Sequence, residues 1–131
     1  MSYTASSLDG TPLGVVEFEA LSTSLLVLER TFQTTNTIRL YEAAVSDGVF
    51  DKKLLIEWDV DGMRNGAGAK ISSLEVDNYE GMCLCPEDHD SERRLILVND
   101  DNDNEDQIGT QFVLLALSTG SDTVIDSNRG Y

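Results

Sequence analysis

The segment Leu25-Leu26-Val27-Leu28-Glu29-Arg30 has a second, similar version in Leu95-Ile96-Leu97-Val98-Asn99-Asp100. Each is preceded by a shorter segment and followed, after a polar loop, by a third one: FEAL at 18–21 and TIRLY at 37–41, YEGM at 79–82 and QFVLL at 111–115. Glu19 and Glu80, which hold matching places in the shorter segments, are 61 residues apart. A repeat of this length is typical of one structural unit packed on a copy of itself.

Residues 14–32 are the ambiguous part of the repeat, because their apolar residues also fit the spacing of a helix. Two features favour a pair of strands. Ser22-Thr23-Ser24 interrupts the stretch with residues that favour turns, and the corresponding second stretch contains Pro86 and a polar loop. The other predicted strands lie at 37–45, 53–60, 79–85, 94–99, 111–117 and, as a short last strand, 123–126.

These strands predict an all-β fold of two antiparallel four-stranded meanders in a single partial domain, 1–131. Unit one covers about 14–60, unit two about 77–126, and a glycine-containing loop at 61–76 joins them; residues 1–13 are a polar lead-in. Repeated four-stranded meanders are typical of propeller blades, and a propeller needs ~4–8 of them. Two blades alone would expose sheet faces and edges. We therefore expect an incomplete propeller, completed by missing blades of a longer protein or by copies of this chain; a face-to-face sandwich is the third option.

The charge of the chain limits its partners. It has 24 Asp and Glu against nine Lys and Arg, a formal net charge of −15, which repels nucleic acid phosphates and anionic lipid heads. We expect neither a nucleic acid nor a membrane partner, since an apolar run of ~18 residues is also missing. The first residues lack the basic and apolar stretches of a signal peptide.

Meander geometry predicts that acidic residues gather on one rim. The start of one strand of a hairpin lies beside the end of the next, and in a propeller Glu19 and Glu80 would face the central channel from adjacent blades. Such oxygen-rich rims suit Ca²⁺, which takes ~6–8 oxygen ligands. The other interpretation is that these groups are ion-paired strand ends and turn residues. The predicted rim comprises Glu17, Glu19, Glu29, Arg30, Asp77, Asn78, Glu80, Asn99, Asp100, Asp101 and Asn102.

These segments resemble the phytase-like family, also described as having esterase-like activity of phytase, a family of β-propeller proteins. The resemblance covers roughly residues 14–117 and the C-terminal part of a longer family domain, and it suggests a secreted or periplasmic parent. Cys83 and Cys85 depart from the small or aliphatic residues of the family, and Asn99 stands where Ser is frequent. The motifs that carry the resemblance are LLVLER at 25–30 with RLY at 39–41, DNYEGM at 77–82, LILVNDDN at 95–102 and TQF at 110–112.

The resemblance implies calcium-dependent hydrolysis of phosphate esters by the complete propeller, with a phosphorylated small molecule as substrate. Glu19 and Glu80 are the expected channel-side metal ligands. Arg30 or Arg39 would contact phosphate. A non-catalytic acidic binding or assembly module is the alternative function. The expected outer metal ligands are Asp77, Asn78, Asp100 and Asp101.

Three other motifs are weak. The acidic stretch 100–106 lacks the Gly and Glu of an EF-hand loop, which favours a solvated hairpin loop. Cys83, Cys85 and His89 could be zinc ligands, but a fourth ligand is not evident, so we expect core or strand-face cysteines. The sequence has one His and no Gly-x-Ser-x-Gly motif to supply a nucleophilic Ser, which argues against a serine hydrolase.

Overall fold

A computed structural model describes residues 2–31, 36–85, 93–100 and 109–117, together with a backbone strand at 124–125. These ranges contain only β-strands, all paired antiparallel, and no helix capable of crossing a membrane. The strands are β1 (Ser7–Leu8), β2 (Thr11–Pro12), β3 (Gly14–Ala20), β4 (Ser24–Arg30), β5 (Ile38–Ser46), β6 (Val49–Asp59), β7 (Gly62–Asn65), β8 (Lys70–Ser72), β9 (Tyr79–Leu84), β10 (Arg93–Asn99), β11 (Phe112–Leu117) and β12 (Val124–Ile125).

Unit one is a sheet in the order β3-β4-β5-β6-β7-β8. The two-strand interpretation of 14–32 is confirmed, because β3 and β4 form a hairpin closed by a hydrogen bond from the Leu21 N–H to the Ser24 carbonyl, 2.8 Å. A tight turn also joins β5 to β6. Asp47 and Gly48 both have positive φ, 50° and 79°, which suits the right-handed twist of a two-residue hairpin.

The predicted loop at 61–76 is wrong in part, since it contains β7 and β8 and extends the sheet from four strands to six. Its glycines mark turns between short strands. The Asp59 carboxylate accepts the Asp61 N–H at 2.8 Å. Gly62 follows with φ 111°, where a Cβ would lie 2.4 Å from the Ser72 carbonyl oxygen. Met63 then points into the core and is fully buried, which fixes β7 to the sheet.

Unit two is a four-stranded sheet in the order β12-β11-β10-β9, as predicted. Its central strand β10 pairs Leu97 with Met82 on one side and with Val113 on the other. The register shifts between Val98 and Asn99, so Asn99 pairs with Tyr79 and Glu80 is left as the bulged residue. Bulges re-aim side chains at the rims of sheets, and this one lies at the start of β9.

The two sheets pack face to face around one core. Leu26 and Leu28 of β4 share a buried cluster with Leu95 and Leu97 of β10. Trp58 lies at the centre of this cluster, with its ring 4.5 Å from the ring of Tyr79 and its indole N–H donating to the Leu74 carbonyl at 2.8 Å. The remaining buried members are Ile38, Leu40, Ile56, Met63, Met82, Val113, Leu115 and Leu117.

The packing is head to tail. When the two repeats are aligned, Leu26 and Leu28 correspond to Ile96 and Val98; we call the face that carries them the front face of each unit. The opposite or back face carries Val27 and Glu29 in unit one, and their counterparts Leu97 and Asn99 in unit two. The front face of unit one is therefore buried against the back face of unit two. Adjacent blades of a propeller pack in this way, and no closed propeller is formed by the described residues, as expected for an incomplete one.

Candidate functional site: a polar rim shared by two sheets

An ion pair joins the two units at the predicted rim. Arg30, the last residue of β4, binds Glu80, the bulged residue at the start of β9, with Nη1 and Oε1 2.8 Å apart. The Arg30 side chain is 11% exposed and that of Glu80 is 41% exposed. These two residues of the predicted rim are therefore in contact, and the Glu80 side chain is more exposed to solvent than that of Arg30.

The DN motif at 77–78 and the ND motif at 99–100 are interlocked by hydrogen bonds. The buried Asn99 donates its amide to Asp77 Oδ2 at 2.6 Å and to the Gly109 carbonyl at 3.0 Å, and its Oδ1 accepts the Gln111 N–H. The Asn78 N–H donates to Asp77 Oδ1 at 2.7 Å. Both carboxylate oxygens of Asp77 are therefore held by the protein itself.

Asn78 and Tyr79 extend the same network. The Asn78 amide donates to the Asp100 carbonyl at 3.3 Å, and the Asp100 N–H donates back to the Asn78 carbonyl at 2.8 Å. The Tyr79 hydroxyl donates to Gln111 Oε1 at 3.1 Å. Burial raises the pKa of Tyr79, and the nearby carboxylate of Asp77 raises that pKa further. This part of the rim is a packed, internally satisfied structure that connects the start of β9 to the residues around β10 and β11.

A second polar cluster lies on the back face of unit one, where Glu29 is fully buried. Its carboxylate accepts hydrogen bonds from the Tyr3 hydroxyl, from the Ser6 N–H at 2.9 Å and from Lys52 Nζ at 2.9 Å. Lys52 also donates to the Thr4 carbonyl at 3.0 Å. Residues 2–13, predicted to be a simple lead-in, thus form a strap that crosses the back face of unit one.

The electrostatics of this cluster favour a charged Glu29. Burial alone raises the pKa of the Glu29 carboxyl, but the hydrogen bonds from Tyr3, Lys52 and Ser6 outweigh it and hold that pKa below its usual value. Burial and the carboxylate of Glu29 both raise the pKa of Tyr3. The Lys52 ammonium also lies 4.8 Å from the ring centre of Tyr3 and 4.6 Å from that of Tyr41, distances that suit cation–π contact.

Sequence reasoning placed Glu29 on the rim but missed the strap that binds it. Only one local signal pointed to it: Glu29 lies in the same alternating register as the apolar residues Leu25 and Val27, four and two positions before it. A charged residue in that register needs a buried partner. Neither Tyr3 nor Lys52 could be chosen as that partner from spacing alone.

Arg39, the second predicted phosphate contact, is paired within the sheet. Its Nε and Nη2 both reach Glu57 Oε2, at 2.8 and 2.7 Å, and its Nη1 donates to the Ser7 carbonyl at 3.4 Å. Burial lowers the pKa of the Arg39 guanidinium, but hydrogen bonds and electrostatic attraction to Glu57 and Tyr41 together outweigh it and raise that pKa overall. Arg39 thus lies on the back face with the strap, away from the Arg30–Glu80 pair.

Glu19 and Glu80 do not hold equivalent positions, contrary to the prediction from the repeat. Glu19 pairs with Leu26 in β3–β4, and the residue that pairs with the counterpart of Leu26 in unit two is Cys83. Arg30, which binds Glu80, pairs with Gly14 at the other end of the hairpin. Glu19 is therefore about 13 Å of strand away from that end. The offset of 61 residues aligns two identical residue types, but it does not align their positions in the strand pairing of the two units.

Among the described residues, no three His, Cys, Asp or Glu side chains lie close enough to hold a metal ion. Asp101 and His89 lie outside the described residues, as does most of the acidic stretch 100–106. Cys83 and Cys85 are both free thiols; Cys83 is exposed on β9, which confirms the expected strand-face position. The metal-ligand roles of Glu19, Glu80, Asp77, Asn78, Asp100 and Asp101 stay predictions.

The comparison with known proteins agrees with the motifs. Neither the curated proteins nor the solved structures gave a match. The family model described as phytase-like, esterase-like activity of phytase, matches residues 1–103. The match includes the strap, both copies of the LLVLER-type segment and the DNYEGM segment, and it covers more than half of the 131 residues. The chain therefore belongs to the phytase-like family.

Proposed function

We propose that this chain is part of a phytase-like β-propeller that hydrolyses phosphate esters in a calcium-dependent reaction. The observation that carries the proposal is the Arg30–Glu80 pair on the rim between two adjacent sheets. A carboxylate can hold a metal ion that polarises a phosphoryl oxygen, and a guanidinium can bind phosphate, so this pair brings both kinds of group together. Family membership supports the same reaction class.

In this proposal Glu80 is one calcium ligand, and a complete site needs further ligands. Glu80 is a partly exposed carboxylate at the rim, whereas Asp77 already accepts hydrogen bonds on both oxygens. Because calcium takes ~6–8 oxygen ligands, the remaining ones would have to come from Asp101, from water or from a neighbouring blade. Bound calcium would polarise a phosphoryl oxygen and offset the charge of an anionic substrate.

The Arg30 side chain has a definite part in this proposal. It is largely buried and is oriented by Glu80 at 2.8 Å. A cation that engaged Glu80 would weaken this ion pair, and a guanidinium beside the cation can bind a phosphate in a bidentate manner. The net charge of −15 makes the cation necessary, since an anionic substrate is otherwise repelled.

The experiment compares wild-type protein with Glu80→Gln and Asp51→Asn. Asp51 is an exposed carboxylate on β6 that pairs with Ala44, at the end of the sheet opposite to Arg30. Calcium binding is followed by titration calorimetry, and p-nitrophenyl phosphate and phytate hydrolysis are measured with calcium and with chelator. We expect Glu80→Gln to lower calcium-dependent turnover at least tenfold and Asp51→Asn to leave it unchanged. Full activity of Glu80→Gln would remove Glu80 from the site.

A non-catalytic binding or assembly module is the second candidate. The internally satisfied network of Asp77, Asn78 and Asn99 favours it, because these polar groups bind one another. Folded protein that binds calcium without hydrolysing either substrate, or that does neither in every oligomeric form, would support this candidate over hydrolysis.

A further inference from the structure

Two sheet faces on opposite sides of the molecule carry exposed apolar side chains. On the front face of unit two, Ile96 is 36% exposed and Phe112 is 54% exposed. On the back face of unit one, Phe18 is 62% exposed. Phe18 lines an open apolar cavity of about 320 Å³ together with Tyr3, Val15, Leu25 and Val27. Exposed apolar patches of this kind mark interaction surfaces.

The interface inside the chain indicates what covers these faces. There, the front face of unit one, with Leu26 and Leu28, is buried against the back face of unit two, with Leu95 and Leu97. The faces left open are the front of unit two and the back of unit one. They are the same two kinds of surface, because Ile96 and Val98 are the counterparts of Leu26 and Leu28 in the repeat.

We propose that the back face of unit one, around Phe18, binds the front face of unit two, around Phe112, of a second copy of this chain. Each copy then has one exposed front face, on unit two, and one exposed back face, on unit one, so the contact between copies is head to tail. Head-to-tail contacts close into rings when the rotation allows it. A propeller of ~4–8 blades corresponds to two to four copies of this two-unit chain.

The strap defines which part of the back face takes part. Residues 3–7 cover the half that carries Glu29, Arg39 and Lys52. The half around Phe18 and Val15 remains open, with the ring of Tyr3 at its border. The second copy would therefore contact β3, β4 and the edge of the strap. This inference is independent of the calcium proposal, since it rests on the apolar faces alone.

The test uses Phe18→Glu, Phe112→Glu and, as the matched control, Val60→Glu. Val60 is 58% exposed and lies in the turn between β6 and β7, off both sheet faces. Mass is measured by native mass spectrometry and analytical ultracentrifugation over a range of concentrations, at a salt concentration that screens the charge of each copy. Fluorescence of the single Trp, Trp58, verifies that each variant is folded.

We expect wild-type and Val60→Glu protein to form a closed oligomer and both Phe variants to be monomers. The decisive step mixes the two Phe variants. Phe18→Glu keeps an intact front and Phe112→Glu an intact back, so their mixture should give a 1:1 heterodimer and nothing larger. A monomeric wild type would overturn the proposal and point to blades outside this sequence. An oligomer abolished by Phe112→Glu but not by Phe18→Glu would overturn it in favour of front-to-front pairing.

Discussion

Replacing Glu29 by Gln should destabilise the fold strongly, although the two side chains have nearly the same shape. Glu29 is fully buried, and three donors converge on its carboxylate, from Tyr3, Ser6 and Lys52. Gln would present an amide NH₂ to at least one of these donors and would leave the Lys52 ammonium without its anion. The substitution therefore tests whether the strap is held by charge or merely by packing.

The magnitude follows from the burial of the pair. Removing one partner of a buried ion pair costs about 3–5 kcal/mol of unfolding free energy. Because the Lys52 side chain is 19% exposed and reaches water in part, we expect the low end, about 3 kcal/mol. With a urea dependence of about 2 kcal/mol/M, the unfolding midpoint falls by about 1.5 M.

The assay is urea unfolding followed by the fluorescence of Trp58, which is buried at the interface of the two sheets and is the single Trp of the chain. All samples are compared at one protein concentration, since an assembling protein has a concentration-dependent stability. Asp51→Asn removes an exposed carboxylate from the neighbouring position to Lys52 and should change the free energy by less than about 0.5 kcal/mol. A loss for Glu29→Gln as small as that of the control would refute the reasoning.

Two further predictions concern buried polar groups. Asn99→Ala removes the bonds to Asp77, Gly109 and Gln111 and should cost about 3 kcal/mol in the same urea assay, because three hydrogen bonds of a buried amide, one of them to a carboxylate, are lost together; a cost below about 1 kcal/mol contradicts this. Because folding lowers the pKa of Glu29, its charged form stabilises the fold at pH values above the unfolded pKa of about 4.3. This contribution is lost as the pH falls through the folded pKa. The stability difference between wild type and Glu29→Gln should therefore shrink on acidification below about pH 4.3; a constant difference would contradict a charged Glu29.

The strands were predictable where apolar residues alternate and a turn bounds them. Leu26 and Leu28 alternate with Val27 and Glu29, and the second copy of the segment removed the helical alternative for 14–32. The prediction of a loop at 61–76 was wrong in part because the strands there are too short to show an alternation of apolar and polar residues. A single buried side chain, that of Met63, attaches β7 to the core, and a segment whose glycines close turns between strands has the same composition as a loop.

The site was predictable only in its local contacts. Asp77 with Asn99 and Asn78 with Asp100 follow from the hairpin of unit two, since the start of one strand lies beside the end of the next. The predicted position of Glu19 was wrong because Glu19 was aligned with Glu80 by residue type. Strands β3 and β9, which carry them, pair with their neighbours in different registers. The contact between Tyr3 and Glu29 spans 26 residues and joins a strap to a sheet face, so no periodic pattern in the sequence reports it.

Glu29 and Asn99 illustrate how one position in the repeat acquires two chemistries. They are counterparts at the end of the second strand of each unit, on the back face, and both are buried. Glu29 receives only donors, from the strap and from Lys52, so a carboxylate suits it. Asn99 must donate to the Asp77 carboxylate and accept the Gln111 N–H. A carboxylate at 99 would meet the charge of Asp77 at hydrogen-bonding distance, so only a group with both a donor and an acceptor fits. In both units the side chain at this position binds residues from outside the strand pair and attaches them to the sheet. If those residues only donate hydrogen bonds, an acid fits the position. If they both donate and accept, an amide fits it.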